Sequence, residues 1–271
     1  MNRWTNTTVS IIILTRNGLE FTRRCVESVM KRTKEKYELI FIDNASNDGT
    51  VSYLRSITGA KLILNKQNKG FAGGANQGLA AARGKYITLL NNDTVVTEGW
   101  LTRMLWWLGK DRSIGIVGPR SNKVLKSQRI DRVNFKSIDE IESFSKIWSE
   151  EHDKDGYCTD RLSGFCMVFH RKLVQKIGGM DERFHIGNSE DIDFCIRTMI
   201  SGKTLWVAND VYVHHFGGST FTINNEDHQQ LLMNNRKLLG EKWNTSTPTE
   251  LLPIVERERP FNVSRHYVSY K

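Results

Sequence analysis

No apolar run in this sequence approaches the roughly 18 residues that a membrane-spanning helix needs, and the opening residues MNRWTNTT lack the apolar segment of a secretory signal. A cytoplasmic protein is therefore expected. Cysteine is sparse: Cys25, Cys158, Cys166 and Cys195 are scattered without C-x-x-C spacing, which suggests neither a zinc site nor a disulfide framework and leaves buried free thiols as the expectation. No internal repeat is visible. There is also no helix-turn-helix, zinc-finger or aromatic RNA-binding signature, and the Lys and Arg residues are spread along the chain. Nucleic acid is accordingly not expected as a partner, although the formal net charge of +9 favours acidic ligands: nucleotide phosphates or an anionic membrane surface.

What is present is an ordinary globular composition, 39% hydrophobic and 25% charged over 271 residues, enough for a substantial core. VSIIILT from Val9, YELIFI from Tyr37, KLILN from Lys61 and YITLL from Tyr86 read as strands. Between them lie helical patterns. LEFTRRCVESVMKR puts Phe21, Cys25, Val26, Val29 and Met30 on one face; VSYLRSI is a second helix, and KGFAGGANQGLAAARG combines a Gly-rich turn with a third. Strand and helix in alternation predict a parallel sheet with helices on its faces, and such sheets bind ligands at the carboxyl ends of their strands. Here those ends are polar: Thr15-Arg16-Asn17, Asp43-Asn44, Asn65 and Asn91-Asn92-Asp93. One such cluster would be a turn; four suggest a site.

The segment from about Lys123 to Tyr157 is polar and reads as a long loop or a partly helical insertion. GFCMVFHRKLVQKIGG then predicts a strand and a short helix. A further helix begins near Ser189 with Ile192, Cys195, Ile196 and Met199 at helical spacing; TLWVANDVYVHHFGGST predicts another strand and NEDHQQLLMNNRKLLGEKW a last helix. The tail from Asn244, which holds three of the four prolines, reads as a loosely packed extension.

Each candidate site residue has a structural reading beside the chemical one. Asp93 at a strand end is a hard-oxygen ligand suited to Mg2+ or Mn2+, and Asn-Asn-Asp is equally turn chemistry. Asp43 could accept from a nucleobase or from ribose hydroxyls. The NKGFAGGANQG stretch resembles a phosphate cradle but fits neither common nucleotide fingerprint. Glu190 and Asp191 stand at a helix start with Ser189 as candidate cap, where acids are favoured by the helix dipole and where a carboxylate could also serve as general base. Alternation along a strand sends His214 and His215 to opposite faces, so at most one belongs to a site.

VSIIILTRNG, FIDNASNDGT, NKGFAGGANQG, YITLLNNDTVV, GGMDERFHIGNSEDIDFCIRTMISG and VHHFGGST occur in the order and spacing of family 2 glycosyltransferases, and the set resembles the bacterial rhamnosyltransferase-like branch. The resemblance covers about Val9 to Trp243. It implies an α/β GT-A fold: a mostly parallel, Rossmann-like central sheet with helices on both faces and an acceptor-side subdomain. Residues 1–122 would form the nucleotide-sugar-binding half, 123–243 the acceptor-binding and catalytic half, and 244–271 a C-terminal extension. The implied activity is inverting transfer from a nucleoside-diphosphate sugar, UDP- or dTDP-linked, to a hydroxyl of a glycan, glycolipid or glycoprotein, as in bacterial polysaccharide biosynthesis. By the same resemblance Thr15, Asn17, Asp43, Asn44, Asn65, Asn68, Gly70, Asn76, Asn91 and Asn92 would line the donor site. Asp93 and His215 would hold Mn2+ or Mg2+; Asp191 would be the base and Glu190 would assist. One departure is that Asn91-Asn92-Asp93 stands where family members often carry Asp-x-Asp. The basic stretch Lys123 to Arg132 is expected either as a solvated loop or as a contact to an acidic acceptor or the inner face of the membrane. A sugar nucleotidyltransferase or a non-catalytic nucleotide-sugar binder is the alternative.

Overall fold

In a computed structural model of the chain, residues 8–131, 133–184, 187–217 and 228–271 are described. The expected alternation holds through the first part: β1 (Val9–Thr15), α1 (Leu19–Arg32), β2 (Tyr37–Asn44), α2 (Thr50–Arg55), β3 (Lys61–Asn65), α3 (Gly70–Ala81) and β4 (Tyr86–Asn91). A short β5 (Thr94–Val95) follows, then α4 (Trp100–Lys110) and β6 (Ile114–Arg120). The polar segment is partly helical, with α5 (Ile138–Glu151) and then β7 (Gly156–Thr159). The chain continues through β8 (Cys166–His170), α6 (Arg171–Ile177), α7 (Glu190–Ile200), β9 (Thr204–Tyr212), β10 (His214–His215), α8 (His228–Lys242), α9 (Leu251–Glu258) and α10 (Val263–His266). The strand expected over 204–220 is thus split at Val213, and residues 218–220 and 225–227 of the expected elements lie outside the described residues.

Eight strands form one sheet in the order β3-β2-β1-β4-β8-β6-β9-β7. β8 and β7 run against the other six, so the sheet is mostly parallel. Pairing sets the strand ends level: Thr15 faces Asp43, Leu14 faces Asn91, and Asn44 faces Asn65. All four polar clusters therefore reach one edge.

The two faces of β1 enter different cores, as the period-2 geometry of a strand requires. Ile11 and Ile13 join Phe41, Val26, Val29, Trp100, Met104 and Trp107 beneath α1 and α4. Ile12 and Leu14 join Ile40, Ile42, Ala75, Leu79 and Phe194 beneath α3 and α7. Burying an indole of about 200 Å² contributes roughly 5 kcal/mol, so Trp100 and Trp107 make α4 a major stabiliser of its face. On α1, Cys25, Val26 and Val29 are buried as expected, whereas Met30 is exposed because it lies past the edge of the apolar stripe. Three of the four cysteines are buried, and Cys158 is exposed.

Glycine in α3 has a packing explanation. A Cβ at Gly78 would stand 2.4 Å from Ile12 Cγ2, and one at Gly74 2.8 Å from Leu14 Cδ2. These glycines let the helix lie close on β1 and β2, so the Gly-rich run serves packing at those two positions rather than a phosphate cradle. The tail also departs from expectation. Leu251, Ile254 and Val255 of α9 are buried in the same core as α7, and Gly179 N–H donates to Val268 O at 2.8 Å. Its prolines do not prevent this packing, since Pro253 lies within the first turn of α9, where a missing N–H costs no helical bond.

Candidate active site

The level strand ends open into a cavity of about 600 Å³, within the range of small-ligand sites. Thr15, Asn44, Asn68, Gly70, Asn91, Asn92, Asp93, Glu190, Asp191 and His215 all line it. Ten of the fourteen expected residues thus share one wall system. Asn17, Asp43, Asn65 and Asn76 do not reach it, and each has a partner that explains why. Asp43 accepts from Thr15 Oγ1 and from Ser46 N, both at 2.9 Å, so it orients a lining residue from beneath. Asn17 Oδ1 takes the Asn47 N–H at 2.8 Å, closing the two loops together. Asn65 is exchanged with Gln77 and Asn44. Asn76 spends its amide on Met180 O, Met180 N and Glu182 Oε1, pinning α3 to the segment after α6.

Asn91-Asn92-Asp93 contains a turn that also lines the cavity. Asn92 and Asp93 form the turn between β4 and β5, and Asn92 Nδ2 is anchored on Thr22 Oγ1 at 2.9 Å. β5 pairs antiparallel with β10, setting His215 opposite Thr94, while Phe216 N donates to Asp93 O at 2.9 Å. This small ladder brings His215 to Asp93. His215 Nδ1 lies 2.9 Å from Lys123 O, and a carbonyl only accepts, so Nδ1 carries a proton and Nε2 is the nitrogen left to ligate when the ring is neutral. Nε2 stands 3.2 Å from Asp93 Oδ1, yet it is buried and has no hydrogen-bond partner. Hard carboxylate oxygen with a neutral imidazole fits Mn2+ or Mg2+. Among the described residues no group of three His, Cys, Asp or Glu surrounds a metal position, so most of the ion's ligands would come from substrate and water. His214 turns the other way, to Tyr212 Oη at 3.0 Å and the Phe135 and Phe216 rings, and burial pushes its pKa down to about 4.

Glu190 and Asp191, at the start of α7, line the same cavity. Ser189 precedes them in a left-handed conformation (φ 80°) and makes no side-chain cap, contrary to expectation; with that backbone its hydroxyl does not meet the helix N–H groups. Asp191 itself serves the exposed backbone: Oδ2 accepts from Gly164 N at 2.9 Å and Oδ1 from its neighbour Ile192 N at 2.8 Å. Burial raises both carboxyl pKa values. For Glu190 the rise is large, because the adjacent Asp191 charge adds to desolvation and Oε2 has no partner. For Asp191 the two N–H donors and Arg161 oppose it. The push is therefore greater on Glu190 than on Asp191, so Asp191 is the more readily ionised of the two.

Residues 10–178, more than half of the chain, match the model of glycosyl transferase family 2. The chain belongs to that family. Among curated relatives, a UDP-Glc:alpha-D-GlcNAc-diphosphoundecaprenol beta-1,3-glucosyltransferase of Escherichia coli is 35% identical over 96 residues, 35% of this chain and 37% of that one. The chain spans between 25% and 37% of the length of the first four such relatives. Two solved structures share the fold of this family 2 member. GalNAc-T7 with UDP, GalNAc and Mn2+ superposes with a TM-score of 0.66 at 18% identity, covering 95% of this chain and 52% of the other. A mannosyltransferase from Pyrobaculum calidifontis with GDP-Man and Mn2+ gives 0.62 at 19%, covering 92% and 68%. The GT-A fold expected from the resemblance is the fold observed. Among the described residues no helix is long and apolar enough to cross a membrane.

Several lining residues were not singled out as site residues from the sequence. Arg16 and Lys123 bring cations into the cavity wall, and Phe165 stacks on His215 with ring centroids 5.0 Å apart. Arg16 stood within a polar strand end and Lys123 within the basic stretch, so both carried a charge signal. Gly164 carried none, because its contribution is a backbone N–H.

Proposed function

We propose that this family 2 chain transfers a sugar from a nucleoside-diphosphate sugar to an acceptor hydroxyl with inversion at the anomeric carbon. The observation that carries the reading is the placement of Asp191 at the start of α7: its carboxylate lines the cavity and is fixed by the Gly164 and Ile192 N–H donors, beside Glu190, whose pKa is raised by burial and by the Asp191 charge. A fixed carboxylate can take the proton of an incoming hydroxyl as that oxygen attacks the sugar from the face opposite its leaving diphosphate. Attack from one face and departure from the other inverts the centre in a single displacement. Glu190, with its carboxyl pKa raised, would assist by leaving the basic role to Asp191.

Thr15, Asn44, Asn68, Gly70, Asn91 and Asn92 would hold the donor, with Asp43 positioning Thr15. Asp93 and His215 would hold Mn2+ or Mg2+, which when bound neutralises charge on a diphosphate. Arg16 and Lys123 add fixed positive charge to the same cavity. We favour a UDP- or dTDP-linked donor of hexosyl or rhamnosyl type. The acceptor proposed is a glycan, glycolipid or glycoprotein, in keeping with the lipid-diphosphate-linked sugar in the name of the E. coli relative. The setting would be cytoplasmic, at or near the inner face of the membrane, in bacterial polysaccharide assembly.

The test is a screen of UDP-, dTDP- and GDP-sugars for slow hydrolysis by the purified protein, with and without Mn2+, reading the product anomer by proton NMR. Release of an inverted sugar and a nucleoside diphosphate is expected. Retained configuration, or pyrophosphate formed from a sugar phosphate and a nucleoside triphosphate, would replace this reading by another class of transferase.

A further inference from the structure

A second concave site lies at the other end of the sheet. β4 runs from Tyr86 to Asn91, and its six residues at about 3.3 Å each separate the two sites by roughly 20 Å. Where the chain enters β1 and β4 and leaves β8, Thr8, Arg83, Lys85, His170, Arg171, Lys172 and Gln175 line an open pocket of about 600 Å³. Its walls are tied by backbone bonds: Lys85 N to Thr8 O at 2.9 Å and Arg171 N to Lys85 O at 3.0 Å.

The charge of this pocket is one-sided. Among the described residues no carboxylate pairs with Arg83, Lys85, Arg171 or Lys172. The acid that touches the Arg83 backbone, Glu38, is spent on Lys61, Ser10 and the Arg83 and Gly84 N–H groups. Four cations gathered in a concavity without counter-charge concentrate positive potential there, and a compact multivalent anion is what relieves it. The donors suit phosphate oxygens. Two guanidinium groups offer planar forks, two ammonium groups offer point charge, and Thr8 and Gln175 add neutral donors. His170 adds another: its Nδ1 accepts the Lys172 N–H at 3.0 Å, so its own proton lies on Nε2.

We propose that this basic pocket is a second ligand site, binding a phosphate-bearing anion at the sheet edge opposite the donor cavity. The anion is a free phosphate compound or a lipid head group, which share the chemistry that the pocket recognises. The inference does not depend on the sugar-transfer reading. It also comes with a local reporter, because burial and the surrounding charges of Lys85, Lys172, Arg171 and Lys203 hold the His170 pKa below the ordinary imidazole value. A bound dianion offsets those charges and moves it upward.

The experiment follows the His170 Cε1–H resonance, assigned by His170→Gln, during titration of the whole protein with sodium pyrophosphate in EDTA. A second arm uses vesicles of phosphatidylglycerol against vesicles of phosphatidylcholine. The expected result is an upward shift of the His170 titration midpoint with pyrophosphate, and an affinity at least about tenfold weaker in the double variant Arg83→Ser, Lys172→Ser. Using a local resonance keeps any binding in the donor cavity out of the measurement. A response to phosphatidylglycerol vesicles alone, lost in the double variant, assigns the site to a head group. No response in either arm, or undiminished binding by a folded double variant, overturns the proposal.

Discussion

Asp93 Oδ1 and His215 Nε2 stand 3.2 Å apart, brought together where the turn before β5 meets β10 in the two-stranded β5–β10 ladder. With one carboxylate and one imidazole, the protein alone offers a divalent ion little. Mn2+ is expected to bind weakly to the free protein and at least about tenfold more tightly with UDP or dTDP present, because substrate phosphates then supply ligands. Asn91→Asp should raise affinity in the nucleotide-free state by adding a hard oxygen at a lining position. Titration by the paramagnetic signal of free Mn2+ measures both, and tight binding by the nucleotide-free wild type would contradict the two-ligand site.

Asp191→Asn retains an oxygen able to accept the Gly164 N–H but loses the proton acceptor. Turnover is expected to fall by about 10²–10⁴, with nucleotide affinity unchanged within about twofold. Parallel loss of both in calorimetry and rate assays would make Asp191 a structural helix-start acid.

Glu190 has the opposite linkage from most carboxylates. Its folded pKa lies above the ordinary 4.5, so the folded state holds a proton that the unfolded state has lost, and its contribution to stability declines as pH rises from 4.5 through the folded value. Glu190→Gln should therefore melt higher than wild type at pH 8, with the difference shrinking as pH falls toward 4.5. About 1 kcal/mol corresponds to roughly 2–4 °C in a chain of this size. A variant melting curve parallel to wild type at every pH would show that Glu190 is already ionised in the fold.

Asp193 pairs with Arg197 at 2.7 Å, both wholly buried, and also receives Trp243 Nε1 at 3.0 Å and Lys242 Nζ at 2.6 Å. Asp193→Ala should cost about 3–5 kcal/mol by leaving Arg197 charged and unpaired in the core. Denaturant unfolding that loses less than about 1 kcal/mol would mean the pair is dispensable.

Gly78→Ala is expected to destabilise by about 1–3 kcal/mol, since the new methyl meets Ile12 at 2.4 Å. Nucleotide affinity of the folded variant should be unaffected. An affinity loss without a stability loss would return the Gly-rich run to the donor site.

Much of the site was legible because strands in a parallel sheet deliver their carboxyl ends to one edge. Polar residues following apolar runs thus marked the wall at Thr15, Asn44 and Asn91–Asp93. Glu190 and Asp191 were legible from the family pattern, and the divergence of His214 and His215 from strand alternation. What the sequence did not reveal was direction within the polar clusters. Asn65 and Asn76 have the same chemistry as Asn44 and Asn68, and only tertiary partners, Gln77 for one and Met180 for the other, turn them away from the cavity. Trp100–Arg120 went unread as elements: α4 carries three tryptophans, and β6 contains Gly115, Gly118 and Pro119, which weaken a strand signal. Gly164 was invisible, because a backbone donor has no residue type.

The place of β8 also governs the order in which the molecule can be completed during synthesis. β4 is flanked by β1 on one side and by the later, antiparallel β8 on the other. Until residues 166–170 have left the ribosome, β4 presents a bare edge of unpaired N–H and C=O groups, flanked by apolar Ile87, Leu89 and Leu90. A nascent chain stalled in the polar segment would therefore carry an adhesive strand, and the arrival of β8 seals that edge before Asp191 is made to accept the Gly164 amide. Protection of the sheet edge thus precedes completion of the Asp191 wall.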